Sequence, residues 1–210
     1  ALPICSAVAP YLKKESLFFS VIFYFLSYFN NTLETTLVSV FDRMTIRNNN
    51  REEKFYVIGI SYEKADAITR GKFTFFPEQV EAFTENSKAE GLENFFIVST
   101  CNRTEFYGFA ENENQIVEQY CKFTEGNAED FRQFMAVKEG EEAIRHLFRV
   151  SSGLENQILG DFEIIGQIKL WFSRFKKQGA SNAFLERLVN TAIQISKKVK
   201  NETFLSNGSA

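Results

Sequence analysis

Histidine is almost absent from this chain. His146 is the only one, so any cysteine–histidine chemistry has a single partner to draw on. Cysteine is scarce as well: Cys5, Cys101 and Cys121 form neither an even disulfide framework nor a metal-ligand spacing, which suits a reducing compartment. There is no Gly-x-Gly-x-x-Gly fingerprint, no P-loop and no internal repeat, so the chain shows no recognisable cofactor site of its own. The uncharged, aromatic-rich run at 17–29 is thirteen residues long, short of the about 20 that a helix needs to span a bilayer. A net charge of −3 neither demands nor excludes a nucleic-acid partner.

The 210 residues of the chain suffice for one or two domains with a real core. Their focus is Ser99-Thr100-Cys101-Asn102-Arg103-Thr104-Glu105. The apolar run Phe95-Phe96-Ile97-Val98 leads in, and the alternating run Phe106-Tyr107-Gly108-Phe109-Ala110 leads out. Both have the aromatic and β-branched content of strands, so the polar residues between them predict a tight connection. A cysteine held there, two residues from Arg103, is a candidate nucleophile, because a nearby cation favours the reactive thiolate. The competing reading makes Cys101 a small hydrophobe at a strand end.

Around this centre the chain predicts a β-α-β-β-α-β order, the split βαβ of a ferredoxin-like α+β domain, followed by a helical extension. The strands are expected at 55–60, 95–98, 105–110 and 134–137. Pro77 opens one helix, which Gly91 ends, and a second covers 114–122, where Cys121 is a packing residue. Residues 45–54 read as polar and flexible. From Gly140 the period turns helical, with Ile144, Leu147, Phe148, Ser151, Leu154 and Ile158 on one face of 141–158. His146 falls on the flank of that face, either as a partly exposed helix residue or as a functional one. A second stripe runs through Ile164, Ile168, Trp171, Phe172 and Phe175 to Gly179; a last helix starts after Ser181 and fades at 201–203. Bases outnumber acids from 169 to 200. They form either the solvated side of amphipathic helices or a phosphate-binding face, with Trp171 and Phe172 nearby for stacking.

The domain boundaries expected are 1–54 for an N-terminal extension, 55–160 for the main domain and 161–210 for the helical extension. Met44 is the expected true start, with 1–43 read as upstream sequence. The alternative for that segment is a membrane-associating leader.

Four motifs in order give the chain a specific likeness. Gly59-Ile60-Ser61-Tyr62, the 99–105 stretch, His146-Leu147-Phe148-Arg149-Val150-Ser151-Ser152-Gly153-Leu154, and Leu159-Gly160 with Gly166-Gln167 together resemble glutamyl-tRNA reductase over about 55–210. The resemblance implies that Cys101 attacks the ester joining glutamate to tRNA, and that hydride from NADPH reduces the resulting thioester to glutamate-1-semialdehyde on the way to tetrapyrroles. It implies that Thr100, Asn102 and Arg103 bind substrate, Arg103 pairing with the glutamate carboxylate, and that His146 assists proton transfer or orients the substrate. It places Asn156, Asp161, Phe162, Glu163 and Gln167 along the substrate pocket, although Asn156 and 161–163 depart from the commonest family residues. Tyr62 and Asp66 depart likewise. NADPH is expected on a Rossmann domain that follows this region, so cofactor-binding residues are expected to be absent from the chain. The partners implied are glutamyl-tRNA, a glutamate-1-semialdehyde aminomutase as a candidate, and a second copy of the full-length protein, the fragment itself being monomeric. A cytoplasmic location without membrane attachment is expected. The rival reading is a non-enzymatic RNA-binding module.

Overall fold

The computed structural model describes residues 46–48 and 51–202. The expected start at Met44, the 17–29 run, Cys5 and the residues beyond Glu202 lie outside the described residues.

The strand content follows the apolar runs. Strands β1 (Ile46–Asn48) and β2 (Arg51–Ser61) lead to helix α1 (Ala67–Lys72), then to a short 3-10 turn at Pro77–Gln79 and helix α2 (Val80–Ala89). Strands β3 (Phe95–Ser99) and β4 (Arg103–Ala110) precede α3 (Glu113–Cys121), α4 (Ala128–Phe134) and β5 (Ala136–Glu139). Three helices complete the described chain: α5 (Gly140–Ser151), α6 (Glu163–Lys177) and α7 (Ala183–Glu202). Every described strand pairing is antiparallel, and the sheet runs β5-β2-β4-β3, with β1 pairing the start of β2. The architecture is therefore α+β with a small antiparallel sheet.

Strands β3 and β4 are buried along their whole length, as a sheet covered on both faces requires. Alternate residues of β3 face opposite ways. Phe175 of α6 meets Phe95 on one side (5.7 Å between ring centroids) and Phe172 meets Phe96 on the other (5.3 Å). Helix α6 therefore straddles the outer edge of β3. It fastens there through Trp171 Nε1, which donates to the Ser99 carbonyl at 2.8 Å, while Phe95 N donates to Ala180 O at 3.0 Å. An edge strand covered in this way offers no free ladder to another chain.

Several boundaries differ from the sequence expectations, each for a local reason. Strand β2 begins at Arg51 rather than 55, because ladder pairing with β1 uses backbone groups and needs no apolar run. Phe134 and Met135 are not strand: Asn127 caps a helix with its side chain accepting from Asp130 N, and Phe134 ends that helix. Helix α1 buries no residue and so has no apolar period to mark it in the sequence; Asp66 caps it by accepting from Thr69 N. Asn182, not Ser181, supplies the side-chain cap for α7, accepting from Leu185 N at 2.9 Å.

The largest difference concerns 141–158. The helix stops at Ser151, and Leu154 and Ile158 lie beyond it, Ile158 being 69% exposed. Gly153 ends it with φ +72°; Gly153 N donates to Val150 O and Leu154 N to Arg149 O, the paired bonds of a Schellman motif. A Cβ at Gly153 would also stand 2.9 Å from the Asp161 carbonyl oxygen. We expect Gly153→Ala to lower stability by about 1–3 kcal/mol, read as a lower urea midpoint at unchanged m-value; a change under about 0.5 kcal/mol, the size of an ordinary surface substitution, would contradict this.

Candidate active site

The turn from β3 to β4 is made by Thr100, Cys101, Asn102 and Arg103. Thr100 N donates to Arg103 O at 2.8 Å, and Thr100 Oγ1 accepts from Arg103 N at 3.2 Å and Asn102 N at 3.3 Å. One threonine thus satisfies the turn's inner donors, a local side-chain bond of the kind that shapes tight loops. Neighbouring segments hold the outside. Tyr62 N donates to Asn102 O at 2.8 Å, Arg70 Nε to the Cys101 carbonyl at 3.3 Å, and Phe75 N to Ser99 Oγ at 3.1 Å. Cys101 is exposed at the tip of this braced turn. Cys121 is half-buried on α3, and burial pushes its thiol up to about 11, as befits packing rather than chemistry.

Beneath the turn lies a buried ion network. Arg103, Glu105 and Tyr107 alternate along β4 and so share one face. Arg103 Nη1 donates to Glu105 Oε1 at 3.1 Å, Tyr107 donates its hydroxyl to Glu105 Oε2, and His146 Nε2 lies 2.9 Å from Glu105 Oε1. Arg103 Nη2 donates to the Glu155 carbonyl. His146 Nδ1 is 3.1 Å from Glu155 Oε2, within ion-pair range though off the line of a straight hydrogen bond. Arg149 Nε is 2.7 Å from Glu155 Oε1. Burial alone would raise the Glu105 carboxyl, but Arg103 and then His146 outweigh it and hold Glu105 far below the usual carboxylate range. Burial would likewise lower His146, yet the Glu105 charge overrides it, with help from Glu155, and raises the imidazole to about 9. The ring is a cation at neutral pH.

Two expectations change here. Arg103 does not present a free fork to solvent: it is 2% exposed and its charge is matched by Glu105, only Nε remaining without an acceptor. His146 is not on an open flank. It is 7% exposed, because α5 packs against β2 and β5 on one side and α7 on another.

The remaining site candidates fall at the α5–α6 connection. Asn156 Nδ2 donates to the Asp161 carbonyl at 2.8 Å, and Asp161 Oδ1 accepts from Glu163 N at 2.9 Å, so both spend groups on shaping that loop. Phe162 precedes α6 with the Lys200 ammonium 5.7 Å from its ring centroid; Glu163 and Gln167 are exposed on the first turns of α6. Trp171 and Phe172 are packed in the core at 4% and 9% exposure, as their helical stripe predicts, and so are not free for the stacking that the RNA-module alternative would use. Arg174 covers the Trp171 ring at 5.0 Å. Sequence reasoning gave no role to Glu105, Tyr107 or Glu155. The signal for the first two was there: Arg103, Glu105 and Tyr107 stand at even spacing on a strand whose last five residues, Tyr107 apart, are apolar or glycine.

The molecule is thus a small α+β domain with a solvent-exposed thiol on a rigid hairpin turn above a buried ion network. Residues 58–203 match the family model for the glutamyl-tRNA(Glu) reductase N-terminal domain. The chain is 50% identical over 158 residues to a glutamyl-tRNA reductase of Christiangramia forsetii, covering 75% of this chain and 38% of that protein. It is 49% identical over 161 residues to glutamyl-tRNA reductase 2 of Flavobacterium johnsoniae, covering 77% and 37%. Among solved structures, the glutamyl-tRNA reductase from Methanopyrus kandleri superimposes with a TM-score of 0.59 at 29% identity, over 71% of this chain and 35% of that one. The chain belongs to the glutamyl-tRNA reductase family, as its N-terminal domain. It spans under two-fifths of the length of these curated relatives.

Proposed function

We propose that this domain captures glutamate from glutamyl-tRNA as a thioester on Cys101. The sulfur forms a bond to the glutamyl carbonyl carbon, the bond from that carbon to the ribose oxygen breaks, and the departing oxygen takes up a proton as tRNA leaves. Covalent capture exchanges an oxygen ester for a thioester, a better hydride acceptor, and so splits one hard step into two. The observation that carries this reading is the exposed Cys101 on a turn whose Cys101 and Asn102 carbonyls are held from outside by Arg70 Nε and Tyr62 N. A rigid turn keeps the sulfur placed without the entropy of ordering a loop at each encounter.

In this proposal Thr100 and Asn102 shape the turn and line the substrate side. Arg103 contributes through Nε or by exchanging Glu105 for the substrate carboxylate. Asn156, Asp161, Phe162, Glu163 and Gln167 form the rim opposite. His146, with both ring nitrogens facing carboxylates, is better suited to orienting than to accepting a proton. The sheet order β5-β2-β4-β3, with α2 joining β2 to β3 and α3–α4 joining β4 to β5, supports the ferredoxin-like reading.

The family resemblance makes NADPH the hydride donor of the whole protein. The described residues do not fit a dinucleotide: no parallel strand feeds a glycine-rich turn into a helix among them, so no hydride step is assigned to this domain. Homodimerisation, an aminomutase partner and a cytoplasmic location belong to the same proposal and rest on the resemblance alone. Among the described residues no helix is long and apolar enough to cross a membrane.

Mixing the chain with glutamyl-tRNA is expected to release tRNA in a burst of about one equivalent, the stoichiometry of an acyl-enzyme that accumulates. Cys101→Ser is expected to release none above the uncatalysed rate. Equal release by the two proteins would sink the proposal.

A further inference from the structure

Glu155 gathers three cations from two elements. Its carboxylate lies between Arg149 and His146 of α5, at 2.7 and 3.1 Å, and its carbonyl takes Arg103 Nη2 of β4. It sits at the start of the connection that carries Asn156 and Asp161. That connection is closed by Gly160 N donating to Gly153 O at 3.0 Å and by Asn156 Nδ2 donating to Asp161 O at 2.8 Å. Apolar anchoring is partial: Ile158 is exposed, and Leu154, Leu159 and Phe162 are only half-buried against the core. A segment with few buried apolar contacts belongs to the low-stability end of a fold, where one polar tie can decide its order. The two carboxylate contacts are close ion pairs, neither Arg149 Nε nor His146 Nδ1 being aligned as a straight hydrogen-bond donor, and Arg103 Nη2 adds a charge-assisted bond to the carbonyl.

We propose that Glu155 is a positioning residue that clamps the 152–162 connection onto β4 and α5, ordering the loop that carries Asn156 and Asp161 beside Arg103. Its kinetic consequence rests on the reading of Cys101 as nucleophile; its structural consequence does not. Removing the carboxylate charge leaves His146 with Glu105 and leaves the β3–β4 hairpin untouched. The loss is therefore local, a loosened connection in a folded domain.

The test uses the 210-residue chain, Glu155→Gln and Glu155→Asp, and two readouts. In amide hydrogen exchange on the free proteins, peptides over 153–161 are expected to exchange about tenfold faster in Glu155→Gln, the effect of losing one charge-assisted contact, while β3 and β4 keep their protection. Glu155→Asp is expected to restore most of it. In single-turnover tRNA release, the concentration of glutamyl-tRNA needed for half-maximal rate is expected to rise about tenfold in Glu155→Gln, the saturated rate changing less and the aspartate variant recovering. Unchanged exchange over 153–161, or an increase spread equally over the sheet, would overturn the clamp whatever the chain does with glutamyl-tRNA. If exchange rises locally but the unsubstituted chain releases no tRNA, the clamp stands and the reading of Cys101 falls.

Discussion

Replacing Glu105 with glutamine is expected to lower the free energy of unfolding by about 3–5 kcal/mol, the usual cost of leaving buried charges without their partner. Glu105 is 5% exposed, and both Arg103 and His146 direct charge at its Oε1. An amide still accepts one hydrogen bond but cancels neither cation. The loss comes from the stranded charges rather than from packing, so taking away one of them should return part of it. The double variant Glu105→Gln, Arg103→Met is therefore expected to be more stable than Glu105→Gln alone, since the arginine stem is replaced by an apolar chain of similar reach. Chemical denaturation of the three proteins measures both effects. A single variant within about 1 kcal/mol of the parent would mean that the network is not under electrostatic tension.

The second large effect is a pH dependence on the alkaline side. His146 titrates at about 9 in the fold against 6.5 as a free group. A cation stabilised by folding contributes in full below 6.5 and loses that contribution as pH rises through 9, here up to about 3 kcal/mol. As the chain's only histidine, it has no other imidazole to mask it. Urea unfolding at pH 6, 7.5 and 9 is expected to show stability falling over this window, and the slope is expected to flatten in His146→Gln. Glu105 acts in the opposite direction: its lowered carboxyl contributes in full above the ordinary carboxylate range, and that contribution is lost progressively as pH falls below it. A stability that rises from pH 6.5 to 9 would contradict the assignment of His146 as a buried cation.

Much of this domain is legible along the chain, and the parts that are not share a cause. The β3–β4 hairpin could be read because 95–98 is apolar throughout and the polar turn is short. The α6 stripe could be read because Ile168, Trp171, Phe172 and Phe175 recur at helical spacing. Periodicity failed at Gly153, where a left-handed residue ends α5 while Leu154 and Ile158 happen to continue its pattern. It failed again at Phe134, where Asn127 starts a helix too short to show a period. The turn with Cys101 was visible as a motif. What holds it was not, because Tyr62, Arg70 and Phe75 reach it from segments with no periodic signal. The buried ions were hidden for a related reason: pairing Arg103 with Glu105 is a matter of strand alternation, but adding His146 and Glu155 needs the tertiary fold. The pairing of Arg103 with Glu105, two residues along its own strand, was not anticipated, although strand alternation puts the two on one face.

Acylation of Cys101 is read directly by intact-protein mass spectrometry. The 210-residue chain is mixed with glutamyl-tRNA, quenched in acid, and compared with Cys101→Ser treated alike. The expected result is a gain of one glutamyl residue on the parent chain, located at Cys101 by peptide mapping and removed by hydroxylamine, with none on the variant. An unmodified parent chain alongside intact bound glutamyl-tRNA, or an adduct that persists in Cys101→Ser, would contradict it.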